Sequence, residues 1–150
     1  MFHLRPYADD DFDATMDVWL EAWQQAYPGI DFAERLEWWK QRWLNELLPT
    51  GEVIVATDDD QKLIGFVTLT PATGYLDQIV VLPDWQGKGI AEALLNYVKG
   101  RSENDVALHV NQSNARAINF YLREGFAISG ETVNARSGLP VYEMKWRKEE

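Results

Sequence analysis

Gln86-Gly87-Lys88-Gly89-Ile90-Ala91 sits between an apolar run and an amphipathic helical pattern. Two glycines let the backbone curl until successive N–H groups point into one concavity, and the start of a helix adds its dipole. Such a turn binds an anion, most naturally a pyrophosphate; the alternative is a purely structural strand-to-helix turn. Two nucleotide loops do not fit it. A Walker loop needs glycine at position 82 and Ser or Thr at 89, where Leu82 and Gly89 stand. A dinucleotide fingerprint needs Gly or Ala where Glu92 stands, and it opens near the start of a βαβ unit rather than in mid-chain.

His109 is the second residue whose type invites chemistry. In Val106-Ala107-Leu108-His109-Val110, period-two alternation puts Val106, Leu108 and Val110 on one face and His109 with Ala107 on the other. Imidazole, ordinarily near pKa ~6.5, suits proton relay at neutral pH. The alternative is a half-buried histidine satisfied by a neighbour. His3, the other histidine, lies on a different strand without ligand spacing, so no metal is expected. Cysteine is absent, which removes a thiol nucleophile, a disulfide framework and iron–sulfur chemistry together.

The elements that must position these residues follow from periodicity. A short strand runs from Phe2 and stops at Pro6, and Asp9, Asp10, Asp11 and Asp13 crowd the start of a helix, where carboxylates suit the dipole. Met16, Trp19, Leu20, Trp23, Ala26 and Tyr27 form its apolar stripe, ended by Pro28-Gly29. A second helix is expected over residues 32–48, stopping before Pro49. Strands 52–57 and 62–70 flank a hairpin loop at Asp58-Asp59-Asp60-Gln61. A strand at 75–82, a helix at 89–101, a strand at 106–110, a helix at 114–123 and strands at 127–131 and 141–146 complete the order β-α-α-β-β-β-α-β-α-β-β. This predicts an α/β (α+β) domain over residues 1–150, with a mixed sheet of about seven strands and four helices on both faces.

Composition narrows the function classes. The 150 residues carry 24 acidic and 14 basic side chains, a formal charge of −10. That field opposes binding to nucleic acid or anionic membranes and is compatible with amine-bearing partners. The longest clean aliphatic run, Ile79-Val80-Val81-Leu82, is far short of a bilayer span, and no apolar export signal follows Met1. A soluble cytoplasmic protein is expected.

The segment from Val80-Val81-Leu82-Pro83-Asp84-Trp85 through Gln86-Gly87-Lys88-Gly89-Ile90-Ala91 to Leu95 resembles the acetyl-CoA-binding segment of the GNAT superfamily of N-acyltransferases. A second signature lies downstream: Asn114-x-x-Ala117-x-x-Phe120-Tyr121-x-x-x-Gly125-Phe126 is similar to that family's other motif. The likeness is specific over roughly residues 62–130, and Leu139-Pro140-Val141-Tyr142-Glu143-Met144 resembles the last strand of small bacterial members. Ala91 departs from the commoner glycine but leaves room for a phosphate.

The resemblance implies that the fourth and fifth strands splay apart to admit the pantetheine arm of acetyl-CoA, the co-substrate. Backbone groups of Ile79, Val80 and Val81 would pair with the arm as an extra strand would, and an N–H near Val81 would hold the thioester oxygen. The N–H groups of Gln86, Gly87, Lys88, Gly89, Ile90 and Ala91 would take the pyrophosphate; Lys88 either adds charge or is simply solvated. Aminolysis needs a deprotonated amine, yet a free alkylamine has a pKa near ~10.4, so a base or water relay is required. One preorganised donor at the carbonyl oxygen contributes roughly 3–4 kcal/mol. Tyr121 is placed beside the cofactor sulfur as proton donor, with Phe120 packing the helix on the sheet. Asn114 bonds the pantetheine, caps the helix, or both. His109 stands where protein-acetylating members carry a glutamate base, with Asp77 on the opposing strand as its competitor. The first two helices would shape the acceptor pocket, with Trp23 and Tyr27 stacking on the amine. The reading is a primary amine, on a small molecule or a protein lysine or N-terminus, attacking the thioester directly, with a homodimer left open. A catalytically idle acyl-CoA-binding module and an aromatic protein-interaction domain are the contrasting readings.

Overall fold

The computed structural model describes residues 1–148. Seven strands form one sheet in the order β1-β2-β3-β4-β5-β7-β6. They are β1 (Phe2–Pro6), β2 (Glu52–Asp58), β3 (Leu63–Thr70), β4 (Tyr75–Val81), β5 (Val106–Asn111), β6 (Ala127–Val133) and β7 (Pro140–Trp146). Four helices accompany them: α1 (Phe12–Ala26), α2 (Leu36–Arg42), α3 (Ile90–Arg101) and α4 (Ala115–Arg123). The central strands β2 and β3 are buried almost throughout, which is why Val53-Ile54-Val55-Ala56 reads as a continuous apolar run rather than an alternating one.

The second expected helix is broken where a single one is predicted. A 3-10 turn, Phe32–Arg35, leads into α2, then a π-turn, Trp43–Leu47, and a last helical turn, Leu48–Thr50. The Leu48 N–H bonds the Trp43 carbonyl, five residues back, so one extra residue is absorbed. The run therefore passes through Pro49, which stands at the start of a fresh turn where its missing N–H leaves nothing unpaired. Trp39, Trp43 and Leu47 all reach the core. Trp19 stacks on Trp39 at 5.0 Å, and Trp43 meets Phe66 edge-on at 5.5 Å, which ties both helices to β3.

Among the crowded N-terminal aspartates, Asp11 is a buried ion-pair partner rather than a solvated dipole carboxylate. It accepts both Arg5 guanidinium bonds, at 2.7 and 2.8 Å, and the Ala8 N–H at 2.8 Å. The Asp58–Gln61 loop is the hairpin turn expected: Asp58 Oδ1 accepts the Asp60 and Lys62 N–H groups.

Two irregularities shape the centre of the sheet. Leu69 pairs with Leu76 and Thr68 with Gln78, so Asp77 is an extra residue in β4, a bulge that re-aims side chains and increases twist. The parallel strands β4 and β5 meet at one register point, Tyr75 with Ala107, where the Ala107 N–H reaches the Gly74 carbonyl. Beyond it they diverge, the splay expected between the fourth and fifth strands. No helix among the described residues is long and apolar enough to cross a membrane.

Candidate active site

A cleft of about 1070 Å³ opens along the splay. Leu82 N–H reaches Ile64 O and Gln78 N–H reaches Thr68 Oγ1, so alternation directs Val80 toward β3 and the N–H groups of Ile79 and Val81 toward the gap. Two of the three expected backbone positions therefore face the cleft with polar groups; Val80 serves the sheet and the core.

At one end of the cleft lies the glycine turn. Gly87 and Gly89 have φ of +79° and +86°, a region costly for side chains with a Cβ, and Gly89 is the residue before α3. A Cβ at either would meet nothing within 4 Å, so glycine serves the backbone path and the open space in front of it. The N–H groups of Gly87, Lys88, Gly89, Ile90 and Ala91 find no acceptor among the described residues, at the positive end of a twelve-residue helix. Five free donors in sequence form a cradle for an anion. Gln86 does not join them, contrary to expectation: its N–H bonds Pro83 O at 3.2 Å, and its side-chain amide donates to Val81 O at 3.3 Å and accepts from Arg116 at 3.1 Å, latching the turn to β4 and α4. The Lys88 ammonium rests over the Trp85 ring at 5.1 Å.

Helix α4 contributes Asn114 and Tyr121, as its motif implies. Asn114 caps the helix, Oδ1 accepting the Ala117 N–H at 3.1 Å. The Tyr121 ring packs against both Phe120 and Phe126, so packing is not left to Phe120 alone. Tyr121 is 8% exposed and lines the cleft, burial pushes its hydroxyl pKa well above 10, and that hydroxyl has no partner among the described residues. It stays protonated and free to donate.

The two candidate bases differ sharply. Asp77 is held by the Arg42 guanidinium through both oxygens, at 2.5 and 2.8 Å, with the Gln78 amide at 3.3 Å. Its lone pairs are occupied by a cation. His109 lines the cleft, its Nδ1 and the Tyr75 hydroxyl share a hydrogen bond of 2.8 Å, and its Nε2 lies 4.0 Å from Glu143. Burial and the Asp77 charge push Tyr75 up to about 12, so this hydroxyl keeps its proton and can donate it to an unprotonated Nδ1. A histidine satisfied by its neighbours and a histidine wired into a relay are here the same arrangement.

Trp23 and Tyr27 do line the cleft, stacked on each other at 5.6 Å rather than standing as separate plates. The Trp23 indole donates to Gln78, and the Tyr27 hydroxyl accepts from Asn111. Sequence reasoning missed Arg42, Tyr75, Asn111 and Glu143, whose partners lie 34 to 84 positions away and follow no local pattern. Two residues carried a signal: Glu143 stands in the last-strand segment Leu139–Met144, and Arg116 at an unspecified position of the Asn114 motif. Among the described residues no three His, Asp or Glu side chains gather as a metal site.

The profile of the family described as Acetyltransferase (GNAT) family matches residues 12–126. The peptidyl-lysine N-acetyltransferase YiaC of Escherichia coli (strain K12) is 28% identical, the alignment covering 95% of each chain. The peptidyl-lysine N-acetyltransferase YjaB of Salmonella typhimurium (strain LT2) is 24% identical over 93% of each. The PaiA N-acetyltransferase of Thermoplasma acidophilum, solved in complex with coenzyme A, superposes with a TM-score of 0.78 at 21% identity, covering 98% of this chain and 99% of that one. The match over the segment that carries the splayed strands, the glycine turn and the Asn114 helix places this chain in the GNAT family of acetyltransferases.

Proposed function

We propose that the protein transfers an acetyl group from acetyl-CoA to a primary amine carried on a lysine side chain. The observation that carries the reading is the run of unpartnered N–H groups from Gly87 to Ala91, opening onto a cleft between two diverging strands. The names of the relatives above support the lysine acceptor.

Acetyl-CoA supplies a thioester already activated for attack. The chain's own groups do the rest. The glycine turn takes the pyrophosphate, and the cleft-facing backbone groups of Ile79, with the Val81 carbonyl once the Gln86 amide gives way, take the arm as an added strand would. The Val81 N–H holds the carbonyl oxygen as charge builds. Tyr121 gives its proton to the departing thiolate. The amine proton passes to the Tyr75 oxygen while Tyr75 gives its own to His109 Nδ1, and Glu143 faces the imidazolium so formed. Asp77 and Arg42 hold the bulge of β4 in place as a pair.

The experiment is a thiol-release assay with acetyl-CoA and a lysine peptide, alongside calorimetric titration of acetyl-CoA into the wild type and Gly89→Asp. The variant sets a carboxylate against the cradle at a position where its Cβ meets nothing, and affinity should fall tenfold or more, roughly 1.4 kcal/mol. Unchanged affinity with the fold intact removes the phosphate cradle. Tight binding without thiol release with any amine leaves an idle acyl-CoA-binding module instead.

A further inference from the structure

The chain carries 24 acidic and 14 basic residues, yet its cleft has the opposite sign. Five arginines line it, Arg35, Arg42, Arg116, Arg123 and Arg136. Of the acidic residues among those described, only Asp77 and Glu92 do. Asp77 is consumed by Arg42. Arg116 stands at the glycine-turn end, bonded to Gln86.

Arg35 and Arg136 stand over Phe32 and Trp38, aromatic residues that also line the cleft, on the side where the acetyl-transfer reading brings in the acceptor. Neither makes an ion pair among the described residues. Arg136 lies on Trp38, its guanidinium carbon 3.6 Å from the ring centre, and Arg35 lies over Phe32 at 5.4 Å. A guanidinium stacked by its face keeps its N–H edge free, in a fork that matches a carboxylate. The backbone beneath Arg136 is also held. Asn134 Oδ1 accepts the Arg136 and Ser137 N–H groups at 2.9 and 3.0 Å, and Gly138 N–H returns to Asn134 O at 2.8 Å. Arg136 is an exposed cation with free donors, answered by no carboxylate among the described residues and open to an anion from outside.

We infer that Arg136, seconded by Arg35, selects acceptor amines that carry a carboxylate near the reacting nitrogen and disfavours polycationic ones. The carboxylate comes from an acidic residue beside the target lysine or from a free amino acid; the shared chemistry is an anionic amine. The inference rests on the acetyl-transfer reading and adds the substrate class to it. A polyamine would bring further ammonium groups against two unpaired guanidiniums in a concave site, a like-charge penalty.

The test is kcat/KM for thiol release from acetyl-CoA with end-blocked Glu-Lys-Glu, Gly-Lys-Gly and Arg-Lys-Arg, free lysine and spermidine. Glu-Lys-Glu should exceed Gly-Lys-Gly about tenfold, chiefly through KM, with Arg-Lys-Arg and spermidine lowest and the preference shrinking with salt. Free lysine above all the peptides would assign the carboxylate to a free amino acid. Arg136→Glu should invert the order of the acidic and basic peptides, while Arg136→Lys keeps part of the preference. Wild-type rates for Arg-Lys-Arg or spermidine that equal those for Glu-Lys-Glu overturn the inference, as does a preference that Arg136→Glu leaves untouched. No release with any acceptor overturns the acetyl-transfer reading itself.

Discussion

Tyr121→Phe isolates one hydroxyl. The ring sits 5.4 Å from Phe120 and 5.7 Å from Phe126, and a phenyl ring keeps both contacts. The hydroxyl has no hydrogen-bond partner among the described residues, so its removal orphans nothing, and stability should change by less than about 1 kcal/mol. Catalysis should not be so indifferent. Burial holds the phenol pKa well above 10, so the proton is present across the working range and available to a thiolate leaving group. A positioned general acid contributes roughly 10²–10⁴-fold. The lower figure is about 2.7 kcal/mol of barrier. The donor acts on the departing sulfur, so kcat and kcat/KM should fall together while acetyl-CoA affinity barely moves. Thiol release read with a chromogenic disulfide gives the rates, calorimetry the affinity and urea melts the stability. A kcat within threefold of wild type refutes the proton-donor role. A loss of several kcal/mol in stability, with kcat falling only as the folded fraction falls, would make Tyr121 a packing residue.

His109→Gln should abolish the acidic limb of the pH–rate profile and leave a rate that climbs with the unprotonated fraction of the amine, while Tyr75→Phe, which removes the 2.8 Å bond, should slow transfer at neutral pH. An acidic limb that survives His109→Gln unaltered assigns the proton to another acceptor. Asp11 offers a pH test of the fold: the Arg5 guanidinium holds its carboxyl below the usual range, so its contribution is present above the unfolded carboxylate pKa and lost as pH falls through the folded one. Asp11→Asn should cost about 1–2 kcal/mol at pH 7, discounted for the partly exposed Arg5, and the deficit should shrink toward zero in acid. Urea melts at neutral and acid pH check it, and an equal deficit at both contradicts the linkage.

What was legible in the chain is what neighbours in sequence decide. Apolar periods placed the strands and helices, the paired glycines marked the turn before α3, and Asn114 announced its cap, because each rests on backbone preferences and contacts within a few residues. The helix over residues 32–48 failed for a related reason: the widened turn at Trp43–Leu47 serves the packing of Trp39 and Trp43 against Trp19 and Phe66, which no local propensity encodes. The site divides along the same line. The residues of the cradle lie side by side in the sequence, so type and spacing exposed them. The Asp77–Arg42 pair, the Tyr75–His109–Glu143 chain and the Arg136–Trp38 stack join positions far apart, and only strand register and the bulge in β4 bring them together. Net charge shows the limit most plainly. A sum of −10 is a property of the sequence, but a field belongs to the places where charges stand, and the fold set five arginines around the cleft between the splayed strands.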